Sequence, residues 1–558
     1  MASTLPPPIL VEQADDAFLR LGLGWQEGEE GKFLKISGTD ACVARLNQVV
    51  DKLWKKVSIE LTKYNRSGLC KMLLLNLESI RENRQHWERT VRANIALHYN
   101  IEDVFEVTTR QIGKFSAASL GSRILIEMAI CTCSLDEEEV PDELEISTLL
   151  GSVLLLFHLG AWSDAIRSNL FPPQVHISAF GQVMLNYDFE KTVMTPYQTM
   201  FGWEQRTAEA KRYEKLYENY NDARPFDEIF PASYLEAWNE EYHVSASDMR
   251  RMFDALENLG ISQKEAVFAM NRSGLIAYLL GTVHGLKDIE VEKCLKKISL
   301  TSRSKWDQSK KMLPVHIEPQ DWYPWNFRRK LSLVSRPLVE LDSSEDPLLL
   351  VSPSALRESF GYLLSNSFDA VFEERHFESR LMKKWIGGRR NQLGNEFNQM
   401  VARKMVDLGW EAESDVLVTK LLNRKTDKDY GDIDVLAWYK ELGLVVAAEC
   451  KDLFFAKTHK EIGNQINEFL GVINEKGERD RLRKHFDRLD VLMANISAIT
   501  RYIGLGKIDK IYGLIVFSQR NIIEYAPQIP KTRIHVCALE TLTTPKELAQ
   551  KLIPWSLK

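Results

Sequence analysis

The sequence predicts a multi-domain protein with a mainly α-helical N-terminal region and a C-terminal α/β domain. The chain has 558 residues, a length typical of roughly three or four domains with buried cores. Apolar residues recur with helical spacing through most of residues 12–330. Two short runs at 433–439 and 444–450 are rich in β-branched and aromatic residues and predict paired strands.

These patterns divide the chain into three parts. Residues 1–320 are predicted to form a mainly helical recognition or regulatory region, which a turn-rich segment at 222–233 can divide into two subdomains. Residues 321–380 are predicted as a β-containing connector, with a strand pair around the Ser-, Glu- and Asp-rich turn inside 329–356. Residues 381–558 form the predicted α/β domain.

Composition predicts a soluble, cytoplasmic protein. The seven cysteines are scattered without a Cys-x-x-Cys pair, which fits a reducing compartment and gives no sign of a zinc site or a disulfide framework. The first ten residues lack the basic and apolar segments of a signal peptide. The longest apolar run, 146–162, contains Ser, Thr, His and Gly, so we expect a buried helix there and no membrane span.

The two predicted strands give a definite pairing register. Ile433–Tyr439 and Leu444–Cys450 are joined by Lys440–Gly443, a hairpin loop of four residues. If the residues on either side of the loop pair, Asp434 lies directly across from Glu449, with Cβ atoms about 5 Å apart. The register therefore brings two acids together in an otherwise apolar hairpin.

Side-chain alternation then predicts what shares a face with these acids. Lys451 points to the same side as Asp434 and Glu449, and Cys450 points to the other side. Two adjacent carboxylates repel one another unless a cation lies between them, and Mg²⁺ prefers oxygen ligands of this kind. With an ammonium group beside them, they could support hydrolysis of a phosphodiester. The alternative is a charged sheet edge, since edge strands often carry inward-pointing charges.

Polar residues on the flanking helical segments extend the pattern. Glu396 lies at helical spacing from Leu393 and Met400, so we expect it to border a buried face. Gln465 occupies the same angular position in the apolar stripe of 458–473. Each is an ordinary helix-edge residue when taken singly, but together they indicate two helices that present polar groups to one sheet face.

The combination resembles the PD-(D/E)xK phosphodiesterase superfamily, and most closely its restriction-endonuclease-like branch, including the Mrr type. The matching segments are Gly394-Asn395-Glu396-Phe397, Gly431-Asp432-Ile433-Asp434, Ala448-Glu449-Cys450-Lys451 and Gln465. The resemblance covers roughly residues 385–545. It implies a restriction-endonuclease-like α/β domain with an αβββαβ core, to which the segments 510–518 and 533–542 would add strands.

The resemblance also implies a metal site and residue roles. Asp434, Glu449 and the backbone carbonyl of Cys450 would hold Mg²⁺ or Mn²⁺. Three further side chains receive roles: Lys451 as the catalytic lysine, Glu396 as the first-helix acid and Gln465 as the second-helix glutamine. Asp432 is an alternative to Asp434, because a register shift of one residue would exchange the two faces.

Basic clusters on either side of this core are candidates for nucleic-acid contact, because the net charge of −6 provides no overall basic field. The cluster at 380–390 is predicted to contact backbone phosphates. Its candidate residues are Lys383, Lys384, Arg389 and Arg390. The second cluster, 478–488, is diluted by acids and is expected to be a solvated helix face.

The sequence therefore predicts a metal-dependent endonuclease. Its architecture suits an antiviral-defence or restriction-type effector. DNA is the preferred substrate because the branch it resembles mostly cuts DNA. The alternatives are an RNA-cleaving enzyme with the same site and a catalytically silent nuclease-fold scaffold. The N-terminal region is expected to bind a protein partner or a second copy of the chain. No ATP phosphate loop is present, so any ATPase would belong to another subunit.

Overall fold

The computed structural model describes residues 5–11, 34–97, 101–178, 182–202, 225–303, 317, 321–326, 328–426, 428–454, 456, 458–474, 477–508 and 510–551. The chain forms two compact units. The first comprises Met1–Arg167, Pro172–Leu185 and Arg212–Ile386. The second comprises Ser168–Phe171, Asn186–Lys211 and Gly387–Lys558. Two segments of the predicted N-terminal region, at 168–171 and 186–211, thus belong by their contacts to the second unit.

The first unit begins with long helices and a small antiparallel sheet. The helices are α1 (Thr39–Leu61), α2 (Arg66–Ala96), α3 (Ile101–Thr132) and α4 (Glu143–Arg167). The sheet has the order β1–β2–β3, formed by β1 (Leu34–Ser37), β2 (Gln174–Ile177) and β3 (Val183–Leu185). In α1, Leu46, Val50, Leu53 and Val57 are buried at helical spacing, which confirms the amphipathic pattern of the sequence.

The rest of the first unit combines short helices with a four-stranded sheet of order β4–β7–β6–β5. Its helices are α5 (Phe226–Ile229), α6 (Ala232–Tyr242), α7 (Ala246–Gln263), α8 (Arg272–Thr282), α9 (Asp288–Lys297) and α10 (Pro353–Phe368). Its strands are β4 (Phe268–Asn271), β5 (Ser299–Leu300), β6 (Leu338–Glu340) and β7 (Leu348–Val351). Since β6 and β7 pair antiparallel, the strand pair expected in the connector forms and is part of this sheet.

A buried ion pair links two elements of the first unit. Arg329 donates two hydrogen bonds of 2.7 Å to the carboxylate of Glu127 on α3. The Arg329 side chain is 7% exposed and that of Glu127 is fully buried. Each charge therefore depends on the other, because neither has water to solvate it.

Two helices of the first unit are long and apolar enough to cross a membrane by length and composition, namely Arg110–Thr132 and Glu143–Arg167. In both, most of the apolar window is buried inside the protein, at 61% and 67%. Burial of this kind is typical of the core helices of soluble proteins, as expected for the run at 146–162.

The second unit is built on a five-stranded sheet of order β12–β11–β10–β9–β8. The strands are β8 (Glu411–Leu417), β9 (Asp432–Tyr439), β10 (Leu444–Lys451), β11 (Lys510–Phe517) and β12 (His535–Ala538). Strands β8, β9 and β10 are antiparallel neighbours, while β11 and β12 continue parallel to β10. Strands β11 and β12 fall inside the two late segments expected to form strands.

Helices cover both faces of this sheet. They are α11 (Arg380–Asp407, which enters the second unit at Gly387), α12 (Val418–Leu422), α13 (His459–Asn467), α14 (Arg481–Ala494), α15 (Ile496–Ile503) and α16 (Pro545–Lys551). Apolar residues of α11 and α16 share one core with alternate residues of β9, β10 and β11. Leu489 of α14 lies against Gly513 of β11, and this helix also contacts Glu449. The elements follow the αβββαβ order expected from the sequence except that the short helix α12 lies between β8 and β9 and the helices α13 to α15 lie between β10 and β11; the restriction-endonuclease assignment itself stays a prediction.

Candidate active site

The hairpin β9–β10 forms with the predicted register. Tyr439 pairs with Leu444, and the ladder continues to Val435 opposite Ala448. Gly443 closes the loop at φ 57°, a left-handed conformation that glycine adopts without steric cost. On one face the alternate residues Val435, Ala437, Val446, Ala448 and Cys450 join the apolar core beneath α11. The other face carries the charged residues at one end of the hairpin and is apolar over the rest.

Asp434, Glu449 and Lys451 meet on that other face. Lys451 Nζ lies 3.0 Å from Asp434 Oδ2 and 2.9 Å from Glu449 Oε1. The two carboxylate oxygens are therefore within about 6 Å of each other. Asp434 and Glu449 are only 8% and 4% exposed. The backbone N–H of Cys450 donates a 2.7 Å hydrogen bond to Asp434 Oδ2, which fixes the position of this carboxylate.

Burial and neighbouring charges separate the acidities of the two carboxyl groups. Burial, together with the charge of Glu449, raises the pKa of Asp434 to about 6. Burial also acts to raise the pKa of Glu449, but Lys451 and Arg488 outweigh it and lower that pKa to about 2. Burial acts to lower the pKa of Lys451, but the two carboxylates raise it above its usual range. At neutral pH this places two negative charges and one positive charge in a nearly dry cluster.

Two residues of α14 complete the surroundings of Glu449. Arg488 Nη1 hydrogen-bonds to Glu449 Oε2, and Arg488 Nε donates a 3.0 Å hydrogen bond to the Tyr430 carbonyl. His485 Nδ1 lies 3.7 Å from the same Glu449 oxygen. The His485 ring is 1% exposed, and burial first of all lowers its pKa to about 4. The imidazole is therefore neutral at physiological pH.

Sequence reasoning missed both of these residues. They lie inside the basic cluster 478–488, which was expected to be a solvated helix face. The available signal was the position of His485 between Leu482 and Leu489 at helical spacing, since α14 buries all three. A titratable residue in the middle of an apolar stripe indicates that the stripe faces another polar group.

The structure contradicts the expected position of Glu396. Its side chain is 53% exposed, and it accepts a hydrogen bond from Gln392 on its own helix. The prediction that Glu396 borders the buried face is wrong because Met400, part of the expected stripe, is 52% exposed. The buried face of α11 runs through Phe397, Val401 and Met405, and Glu396 lies about 140° from its centre at 100° per residue.

Gln465 occupies a separate pocket. Its Nε2 donates a 2.8 Å hydrogen bond to the Phe454 carbonyl in the loop after β10. Its buried Oε1 has no hydrogen-bond partner within the described part of the chain. The side chain helps to line a cavity of about 30 Å³ together with Tyr197 and Phe517. The described contacts of Gln465 are with the loop after β10 and this cavity, and its role in the active site stays a prediction.

The backbone of Cys450 belongs to the site although its side chain does not. The thiol lies in the apolar core on the far side of the sheet, as the alternation predicts. Its backbone N–H binds Asp434, and the carbonyl predicted to be a metal ligand lies between Glu449 and Lys451 in the chain. Asp434 is the acid that contacts Lys451. Asp432 instead pairs with Leu417 at the end of β9.

The four candidates for nucleic-acid contact are divided between the units. Lys383 and Lys384 are exposed on the part of α11 that belongs to the first unit. Arg390 is exposed in the second unit, where Arg389 Nη1 lies 3.9 Å from Glu396. Their predicted contact with phosphates stays a prediction.

The donor set can hold a hard divalent cation with water completing its coordination. Mg²⁺ is often bound through one or two carboxylates and retains several waters, and the cluster offers two carboxylates on one face. Among the described residues, no group of three or more His, Cys, Asp or Glu side chains is arranged to hold a metal. Carboxylate oxygens are ligands of the kind that Mg²⁺ prefers and differ from the Cys and His ligands of zinc-type sites, and binding of Mg²⁺ or Mn²⁺ at this cluster stays a prediction.

Comparison with protein families gives a match over nearly the whole chain. A family model described as "Anti-phage protein Upx-like" matches residues 3–542, a span that includes the hairpin and most of both units. The chain belongs to the Upx-like family of anti-phage proteins. Comparisons with curated proteins and with solved structures gave no significant match.

Membership of the Upx-like family supports a role in defence against phage, as the sequence predicted in its coarser form. The match begins near the N-terminus and ends at residue 542, so it spans both the helical region and the hairpin.

Proposed function

We propose that this Upx-like protein acts against phage as a metal-dependent endonuclease that hydrolyses phosphodiester bonds of DNA. The observation that carries the proposal is the meeting of Asp434, Glu449 and Lys451 on one face of the hairpin, with Lys451 Nζ within 3.0 Å of both carboxylates. Strongly perturbed pKa values of the two acids in one cluster support a functional site.

In this proposal each residue has a definite task. Asp434, Glu449 and the Cys450 carbonyl would hold Mg²⁺ or Mn²⁺, which when bound polarises the phosphoryl group and acidifies a water molecule. The Cys450 N–H keeps the Asp434 carboxylate in place. Lys451 stabilises the negative charge that develops on the phosphoryl oxygens. Arg488 orients Glu449 through one of its oxygens and leaves the other towards Lys451.

The free-energy cost of the arrangement also supports function over a purely structural role. A buried cluster of two carboxylates, the Lys451 ammonium and the Arg488 guanidinium is often no more stable than apolar packing of similar volume. The hairpin is otherwise apolar on this face, with Leu436, Val445 and Ala447 fully buried. A scaffold would gain stability by replacing the charged residues with apolar ones.

DNA is chosen over RNA because the nucleases that the sequence resembles mostly cut DNA, and both polymers present the same phosphodiester. An RNA-cleaving enzyme is the second candidate. The N-terminal helical region would then serve to recognise a protein partner, another copy of the chain or a phage-derived signal.

The test is a cleavage assay with the purified full-length protein on plasmid DNA and on RNA of matched length, with Mg²⁺, with Mn²⁺ and with EDTA. Lys451→Ala is expected to lower the rate at least ~100-fold, as for loss of one transition-state stabiliser. The matched control is Lys440→Ala, a 53% exposed lysine in the loop of the same hairpin, which should cut like wild type. Cleavage by Lys451→Ala at the wild-type rate would refute the site, and cleavage of RNA alone would select the second candidate.

A further inference from the structure

A second charged cluster lies beside the hairpin, at the start of α14. Lys428 Nζ, Arg479 Nη1 and Arg483 Nη2 lie 3.3, 3.0 and 3.0 Å from carboxylate oxygens of Asp487. We name these four residues the Asp487 cluster. Three positive charges share one carboxylate, and the three cationic side chains are 32–41% exposed. The cluster therefore carries an excess of positive charge that is open to solvent.

The acids that dilute this basic segment in the sequence bind other groups in the structure. Asp480 caps α14, accepting the N–H of Arg483 at 2.6 Å and that of Val472 at 2.9 Å. Glu478 accepts a hydrogen bond from the side chain of Asn474. These carboxylates therefore hold the loop and the start of α14, whereas Arg479 and Arg483 pair with Asp487. The expectation of a merely solvated helix face does not account for this arrangement.

Two residues of the Asp487 cluster, Lys428 and Asp487, line a groove of about 570 Å³, and Arg479 and Arg483 adjoin it through their contacts with Asp487. The charged residues that line the groove are Arg424, Lys425, Lys428, Asp487 and Asp490. Tyr430 lines it as well, and Lys428 Nζ lies 4.6 Å from the centre of the Tyr430 ring. Surfaces that bind single nucleic-acid strands combine cations, which contact the backbone, with aromatic rings, on which the bases stack.

One residue, Arg488, contacts both the groove and the candidate active site. Arg488, one residue after Asp487, binds both Glu449 and the carbonyl of Tyr430. The wall of the groove and the metal-binding carboxylate are thus held by the same guanidinium group. A strand that lies in the groove would pass next to the hairpin that carries Lys451.

We propose that the Asp487 cluster and its groove bind the sugar–phosphate backbone of the nucleic-acid strand beside the scissile bond. This inference rests on the proposed nuclease function and adds the surface that positions its substrate. Guanidinium groups match phosphate oxygens through paired N–H donors, so Arg479 and Arg483 would bind phosphates, with Asp487 holding them in place. Tyr430 would stack on a neighbouring base.

The experiment measures binding apart from cleavage. Fluorescence anisotropy of a labelled 30-base-pair DNA is followed with the full-length protein in EDTA over a series of salt concentrations. Arg479→Ala/Arg483→Ala is expected to bind at least tenfold more weakly. The slope of log affinity against log salt should fall in magnitude by about 2, since each phosphate contact on duplex DNA contributes ~0.9. Arg479→Lys/Arg483→Lys, which keeps the charge, should retain most of the slope.

The matched control is Arg403→Ala/Lys404→Ala, which removes the same charge from α11, the helix packed on the other face of the sheet. It should bind within twofold of wild type. The inference would be overturned if Arg479→Ala/Arg483→Ala bound DNA with wild-type affinity and salt slope. It would also be overturned if poly-L-glutamate competed as strongly as DNA, because that result indicates a site for acidic peptides. If Arg479→Ala/Arg483→Ala loses binding but the wild-type protein does not cut DNA, the groove is upheld and the nuclease proposal is refuted. If the wild-type protein cuts DNA but this variant binds DNA with unchanged affinity, the nuclease proposal is upheld and the groove is refuted.

Discussion

Replacing Asp434 with asparagine should stabilise the second unit at pH 8 while abolishing cleavage. Asparagine has nearly the size of aspartate and retains an oxygen that can accept the Cys450 N–H. It removes the negative charge that faces Glu449 across the hairpin. The residue proposed to hold the metal is therefore one that costs the folded protein free energy when no metal is bound.

The magnitude follows from the acidity of the buried group. The pKa of Asp434 is raised from its ordinary value of 3.8 to about 6 in the folded protein. At 1.36 kcal/mol for each pH unit, ionising it in the folded state costs about 3 kcal/mol relative to the unfolded chain. A raised pKa gives stability that is present below about pH 4 and is lost as the pH rises through about 6. Since asparagine stays neutral, Asp434→Asn should gain up to ~3 kcal/mol at pH 8 and almost nothing at pH 4.

Glu449 does not disturb this comparison. Its pKa is lowered to about 2, so its contribution to stability is present above pH 4.5 and is lost only as the pH falls through about 2. His485, whose pKa burial lowers to about 4, also changes stability between pH 4 and pH 8, but this contribution is common to wild type and Asp434→Asn. The difference between the two proteins in that range is therefore that of Asp434.

The assay is urea denaturation in EDTA at pH 4, 6 and 8, followed by pulsed hydrogen exchange and mass spectrometry of peptides from β9 and β10. These peptides report on the second unit separately from the first. Asp432→Asn, on the same strand, is the control and should show no pH-dependent gain. The reasoning is refuted if Asp434→Asn is less stable than wild type at pH 8, or if its gain is the same at pH 4.

Three further predictions follow from other contacts. Because metal ligation requires ionised Asp434, initial cleavage rates between pH 5 and pH 8 should fall up to about tenfold per pH unit below about 6; a flat profile would exclude Asp434 as a ligand. Gly463→Ala should destabilise the second unit by ~1–3 kcal/mol, because the new Cβ would overlap Ser168 Oγ. Adding Ser168→Gly to Gly463→Ala should restore stability in urea titrations, whereas a Gly463→Ala variant more stable than wild type would contradict the contact. Glu127→Ala should destabilise the first unit by ~3–5 kcal/mol, since Arg329 is left buried without a partner; its melting temperature should fall well below that of Glu60→Ala, an exposed control.

The hairpin could be predicted from the sequence because its information is local. The loop at Lys440–Gly443 sets which residues pair, and the alternation of side chains then sets the face of every residue in both strands. The structure has this register. Asp434, Glu449 and Lys451 therefore come together for reasons contained in about twenty consecutive residues.

The helical residues were predicted less well because a helix wheel has no sharp boundary. The expected apolar stripe of α11 included Met400, which is 52% exposed, and the position of Glu396 beside Met400 on the helix wheel led to the wrong expectation that Glu396 borders the buried face. In α13 the expected stripe ran on to Ile473, but the helix ends at Asn467 and Ile473 is 53% exposed. Propensity and periodicity do not fix helix ends or rotations without their packing partners.

The amino-acid sequence alone determined the pairing of β9 with β10, the shared face of two acids and a lysine, and an expectation of phage defence that agrees with the Upx-like family match. The tertiary structure alone decided which helix covers that face. Arg488 reaches Glu449 from a position 39 residues further along the chain, and Lys428 meets Arg479 and Arg483 at Asp487 from a different loop. Local spacing encodes contacts within a hairpin, whereas contacts between distant segments depend on how the whole sheet and its helices pack.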